Sequence, residues 1–191
     1  MRHTVRWLAA VLTAVLLLPA VPFSARAEKS LSLIGSWAFS HAPETQVLQV
    51  SEDGSAEYQG QAYTWTQENG FLILTDDEEN VLPLRYAAVD DQVLLYPWTT
   101  YHRGKTVEGQ GGLIGIWEEI DGGASFVFTP AGFFLEDNSF SGNYMINEED
   151  GTFLLHYGDV FADTLCYYSI SEDDLLTVEY PWPIVPVQEQ E

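Results

Sequence analysis

Leu33-Ile34-Gly35-Ser36-Trp37 returns as Leu113-Ile114-Gly115-Ile116-Trp117, with four of the five positions identical. An internal repeat of this length restricts the chain to one structural unit used twice. The residues downstream keep step. Ser51-Glu52-Asp53-Gly54 corresponds to Thr129-Pro130-Ala131-Gly132. The stretch from Gly60 to Trp65 corresponds to that from Gly142 to Ile146. Glu68-Asn69-Gly70 and Glu149-Asp150-Gly151 each precede an apolar run. Leu84-Arg85-Tyr86 aligns with Leu165-Cys166-Tyr167, and each copy closes on the same tripeptide, Tyr96-Pro97-Trp98 and Tyr180-Pro181-Trp182.

Within each copy the hydrophobic period is two. Tyr63 and Trp65 share a face against Thr64 and Thr66, and Leu176, Val178 and Tyr180 share one against Thr177 and Glu179. Such alternation marks half-buried strands. Turn residues such as Asp53-Gly54, Asn69-Gly70 and Asp150-Gly151 punctuate it, and these tolerate the positive φ of tight hairpins. The pattern predicts an all-β protein: two tandem small antiparallel meander barrels or sandwiches of about six or seven strands each. In copy one the strands fall near 36–41, 46–51, 55–59, 62–67, 71–75, 81–89 and 92–98. In copy two they fall near 116–120, 124–129, 132–136, 142–147, 152–157, 164–170 and 175–180. No amphipathic helix is expected after residue 27, and closure into a barrel is the simplest way to hide the edges of a meander.

The ends read differently. Arg2, His3 and Arg6 precede an apolar run from Leu8 to Leu18, and Ala25-Arg26-Ala27 is a small-x-small cleavage site. Residues 1–27 therefore read as a cleavable signal peptide, which implies a secreted or extracytoplasmic protein with no membrane segment in its mature form. Residues 28–102 form copy one, the glycine-rich stretch 103–112 a linker, and 113–191 copy two, whose tail from Pro183 to Glu191 is expected to fray.

Removal of residues 1–27 leaves four basic against all 29 acidic residues. Such a chain repels nucleic acid and anionic lipid and suits cationic partners. Cys166 is the single cysteine. Disulfides therefore hold nothing together, and the strand pattern buries this residue as a small hydrophobe.

The Gly-x-Trp opening, a Gly-containing hairpin, the segment in which a Gly is followed closely by a Tyr and the closing hairpin resemble the short lipocalin-like domains of secreted bacterial proteins. The residues that carry the resemblance are Gly35, Trp37, Gly60 and Tyr63, and Gly115, Trp117, Gly142 and Tyr144. The resemblance implies a β-barrel. It also implies an Arg late in the barrel against the Trp, a part that Arg85 or Arg103 could play in copy one, while copy two has no Arg after Trp117. Many such domains have no assigned activity. Each copy is short for a ligand-carrying barrel, and small barrels fill their interiors with side chains.

No nucleophile elbow, phosphate loop or paired metal-ligand spacing is present; His41, His102 and His156 lie far apart. The acidic runs 76–79, 148–150 and 172–174 lack the spacing of a calcium loop. We therefore expect a non-enzymatic binding or interaction module without a cofactor or a metal. Its partner would be an apolar small molecule, a glycan or a protein. The alternative is an acidic accessory or inhibitor domain that binds a basic protein; a hydrolase stands third. The aromatics of the tripeptides, Tyr96, Trp98, Tyr180 and Trp182, together with Trp65, are the candidate ligand-binding residues, because Pro97 and Pro181 place them at strand ends.

Overall fold

The computed structural model describes residues 32–89, 92–105 and 108–188. The expected signal peptide, residues 1–27, lies outside the described residues, as does the end of the tail. The described part is all-β, with sixteen strands and no helix. They are β1 Gly35–Phe39, β2 Gln46–Val50, β3 Ser55–Tyr58, β4 Gln61–Glu68, β5 Phe71–Thr75, β6 Val81–Val89, β7 Gln92–Tyr96, β8 Trp98–Arg103, β9 Gly115–Glu119, β10 Ser125–Phe128, β11 Phe133–Glu136, β12 Phe140–Asn147, β13 Thr152–His156, β14 Thr164–Ile170, β15 Leu175–Glu179 and β16 Trp182–Pro186.

These strands close two antiparallel barrels of eight strands each, rather than the six or seven the sequence suggested. The two barrels fit a lipocalin-like β fold. The additional strands are β8 and β16, and neither stays with its own copy. The first barrel is β1 to β7 closed by β16, which pairs with β1 and β7. The second is β9 to β15 closed by β8, which pairs with β15 and β9. The last strand of each sequence copy thus completes the other copy's barrel. Residues 28–102 and 113–191 are units of sequence; the closed units in space exchange residues 98–103 and 182–186. The tail from Pro183 onward does not fray where β16 forms, because β1 and β7 satisfy its backbone and Ile184 is buried.

Repeated hydrogen bonds fix which positions of the two copies correspond. The Trp37 indole N–H donates to the Leu33 carbonyl at 2.7 Å, and that of Trp117 to Leu113 at 2.8 Å. The intervening glycines, Gly35 and Gly115, have φ of 135° and 152°, which side-chain-bearing residues rarely adopt. The amide of Trp65 bonds Gly54, as that of Tyr144 bonds Gly132. The amide of Tyr86 bonds Gly70, as that of Tyr168 bonds Gly151. Trp65 therefore corresponds to Tyr144, and Leu84 to Cys166. Tyr86 pairs with Leu95 and Tyr168 with Val178. Tyr96 consequently corresponds to Glu179, and the two Tyr-Pro-Trp tripeptides are one residue out of register. Because side chains alternate along a strand, this slip turns the two tyrosines to opposite faces.

Both interiors are packed with side chains. Leu48, Leu72, Leu74, Leu84 and Leu95 are fully buried in the first barrel. In the second, Trp117, Phe126, Phe128, Phe153 and Cys166 belong to one contiguous cluster. Phe128 and Phe153 meet there edge to face at 5.3 Å, an arrangement that stabilises by about 1 kcal/mol beyond burial.

Candidate functional site

The five aromatic candidates do not form one site. Trp65 on β4 is half-buried, and its indole N–H donates to the Ser51 carbonyl at 2.9 Å. At the corresponding place the Tyr144 hydroxyl donates to the Thr129 carbonyl at 2.7 Å. Both side chains clamp a hairpin. Tyr96, on the outside of the first barrel, is buried against the second, its ring 5.6 Å from that of Tyr167. Tyr180 points into the second barrel. Trp98 and Trp182 are 39% and 40% exposed, as expected for rim positions. Trp182 contacts Phe39, His41 and Tyr180, so an aromatic group does gather around it.

Where the barrels meet, corresponding positions touch each other. Arg85 corresponds to Tyr167 and stacks on its ring at 3.7 Å; its other face covers Phe71 at 4.4 Å. Its Nε donates to Glu179, the counterpart of Tyr96, at 2.5 Å. This self-matching pattern is that of a two-fold dimer interface written into one chain.

Arg103 explains how the second barrel acquires the arginine its own copy lacks. Carried over on β8, it stacks on Trp117 at 4.0 Å. It donates to both Asp174 oxygens at 2.5 and 2.7 Å and to the carbonyls of Ile114 and Gly112 at 3.0 Å. These bonds hold the Asp174 carboxyl below its ordinary range. The residue facing Trp37 from β16 is Pro186, so among the described residues no arginine covers it. Trp117 is accordingly fully buried and Trp37 half-buried.

A polar chain enters the second barrel at one end. The Tyr157 hydroxyl donates to Glu136 at 2.6 Å and lies 3.1 Å from the Tyr180 hydroxyl. Burial pushes the Glu136 carboxyl up, partly offset by the Tyr157 hydrogen bond, and neighbouring Asp137 adds to the rise. The folded chain therefore holds this proton more tightly than the unfolded chain does. Ionisation of Glu136 costs stability above its raised value, and that cost is absent below the ordinary carboxylate range. Glu136→Gln keeps an acceptor for Tyr157. It should raise the melting temperature at neutral pH and have little effect below about pH 4, as thermal melts across pH will show.

Two open grooves lie outside the second barrel. One of about 580 Å³ crosses β12 to β14, lined by Met145, Leu154, Leu165 and Tyr167 with Asn147 and Asp150 at one end. A second of about 390 Å³ lies beside it, lined in part by Phe133, Asn143 and His156. His156 Nδ1 is 2.6 Å from Asp163. Strand pairing puts Met145 opposite Leu154 and Leu154 opposite Leu165, a continuous apolar row on the outer face. Sequence reasoning passed over this row because period two assigns outward positions to solvent. The signal was present in the copy-to-copy differences: Thr66, Ile73 and Pro83 form the corresponding row of the first barrel.

The acidic run 76–79 folds back on itself. Asp76 accepts from the amides of Glu78 and Asn80 and from the Asn80 side chain, which lowers its pKa. Among the described residues no group of His, Cys, Asp and Glu side chains is placed to hold a metal ion. Cys166 is buried, and burial pushes its thiol well up. No protein-family model, no curated protein and no solved structure matches the chain.

Proposed function

We propose that the protein is a non-enzymatic binding module, working outside the cytoplasm, whose contact surface is the exterior of a barrel. The observation that carries this reading is the contrast between the two sides of the barrel wall. The interiors are filled with Leu, Phe and Trp, whereas the grooves described above lie on the outer face of the second barrel. A carrier of apolar small molecules needs an enclosed volume of several hundred Å³, and that is where these side chains are packed.

Intrinsic tryptophan fluorescence of the chain from Glu28 onward tests the reading. Trp182 pairs with the buried Leu95 at the start of β16, and Trp117 lies inside the second barrel, so the emission reports on anything that enters either barrel. Titration with fatty acids, haem and soluble glycans should leave the emission unchanged. A saturable shift with a fatty acid or with haem would make the protein an internal carrier and end this reading.

The charge supports a second aspect, recognition of a basic protein. Arg85 and Arg103 are already neutralised by Glu179 and Asp174, which leaves Lys105 as the one Lys or Arg without an ion pair among the described residues. Among the described residues the charged groups at the surface are thus almost all acidic, and association with a cationic partner should weaken steeply with salt.

A further inference from the structure

Duplication supplies an internal control for the exposed apolar row. Both barrels have the same topology, so an outward position that is polar in one is not required to be apolar by the fold. In the first barrel the outer rows read Thr66–Ile73–Pro83 and Ser55–Thr64–Thr75. The corresponding rows of the second read Met145–Leu154–Leu165 and Phe133–Asn143–His156. Polar Thr66 and Ser55 correspond to Met145 and Phe133, and Pro83 corresponds to Leu165; Met145, Phe133 and Leu165 are 63%, 56% and 43% exposed. Solvent exposure of such side chains has no folding benefit, and contiguous apolar surface of this kind marks a contact site. Met is a side chain that adapts to varied partners.

The margins of the row are anionic. Asp150 lines the groove, Glu148 and Glu149 precede it in an exposed turn, and Asp163 lies two residues before Leu165. Asp150 is held by the Asn147 side-chain amide at 2.5 Å, a neutral donor that leaves its charge uncompensated. A second copy of this chain would bring the same acids against them and be repelled, at a formal charge of −22 for each chain. Anionic membranes are repelled likewise.

We infer that the outer face of β12 to β14 docks an amphipathic, cationic segment of another protein, apolar side chains on the Met145–Leu154–Leu165 row and Lys or Arg against the acids around it. This inference rests on the exterior-binding reading above and names its partner class. Apolar burial supplies affinity, and the acids supply steering and exclude acidic partners.

The probe is a synthetic amphipathic Leu/Lys peptide, labelled and titrated into the chain from Glu28 onward by fluorescence anisotropy. A Ser/Lys peptide of equal charge and a Leu/Glu peptide of equal apolarity serve as controls. The Leu/Lys peptide should bind saturably at one site and the Leu/Glu peptide should not. Met145→Thr with Leu165→Thr installs the residue found at Thr66 in strands that tolerate it. It should weaken the Leu/Lys peptide about tenfold or more, with circular dichroism and melting unchanged. Thr66→Val with Thr64→Val, on the first barrel, should leave binding as it was. Equal affinity for the Leu/Lys and Ser/Lys peptides, or no effect of the Met145/Leu165 pair, would overturn the docking assignment and leave an acidic module that binds by charge alone. Binding to zwitterionic vesicles, or concentration-dependent dimerisation, abolished by the same pair would overturn it in favour of a lipid surface or a second copy. None of these outcomes is a fatty-acid or haem response, so failure here and failure of the exterior-binding reading are told apart.

Discussion

Deleting residues 181–191 is expected to open the first barrel and leave the second closed, although the deleted residues belong to the second sequence copy. β16 pairs with β1 and β7, and its removal leaves two unpaired edges in what becomes a seven-stranded open sheet. Burial of Ile184 alone accounts for about 1.5–3 kcal/mol, before the two lost ladders are added. A small domain has about 5–15 kcal/mol in all. Amide hydrogen exchange followed by mass spectrometry reads the outcome directly: protection should fall in β1 and β7 and persist in β9 to β15. Loss of protection in β14 and β15 with β1 and β7 intact would falsify the exchange of closing strands.

The second large effect is expected at Arg103, which ends β8, ahead of the second sequence copy, and should govern the second barrel. Its guanidinium stacks on Trp117, donates to both Asp174 carboxylate oxygens and satisfies two carbonyls. Arg103→Ala removes the stacking and the charge-assisted bonds and uncovers a large indole, a loss of about 2–4 kcal/mol. For a chain of this size the melting temperature should fall by about 5–15 °C. Arg103→Lys should recover less than half of that, because a lysine cannot form the planar fork. Gly115 supports the same geometry: a Cβ there would stand 2.5 Å from Arg103 Nη1. If Arg103→Ala melts like the parent, the stacked arginine is not what closes this end of the barrel.

The Arg103–Trp117 pair also shows what the sequence carries and what it does not. Alternation, turn residues and the repeated Gly-x-Trp specify the class of fold, and period two places most of the strands from Gly35 to Glu179. These are local properties, written in neighbouring residues. Closure is not local. Trp98-Thr99-Thr100-Tyr101-His102-Arg103 alternates equally well whichever barrel it enters, and a single residue, Pro97, separates it from β7. An arginine for Trp117 was therefore sought after Trp117 in the chain, where there is none. The Tyr-Pro-Trp tripeptides misled for a related reason. Their identity suggested equivalence, but the hydrogen bonds of Tyr86 and Tyr168 set a register one residue apart. Tyr96 thus meets Tyr167 edge to face outside one barrel while Tyr180 bonds inside the other. Trp65 was legible as an aromatic that mattered, and its partner Tyr144 shows that what it does is hold a hairpin. The outer row at Met145 was legible only by subtracting one copy from the other.

The exchange of β8 and β16 has a consequence for the order of events in folding. The seven strands up to Tyr96 are contiguous in sequence, yet they close only with residues 182–186, the last strand among the described residues. Pairing of Trp37 with Pro186 is the longest-range strand pairing among the described residues, and such contacts form late. The first barrel therefore stays an unfinished sheet until β16 docks, whereas the second can close as soon as β8 to β15 are paired.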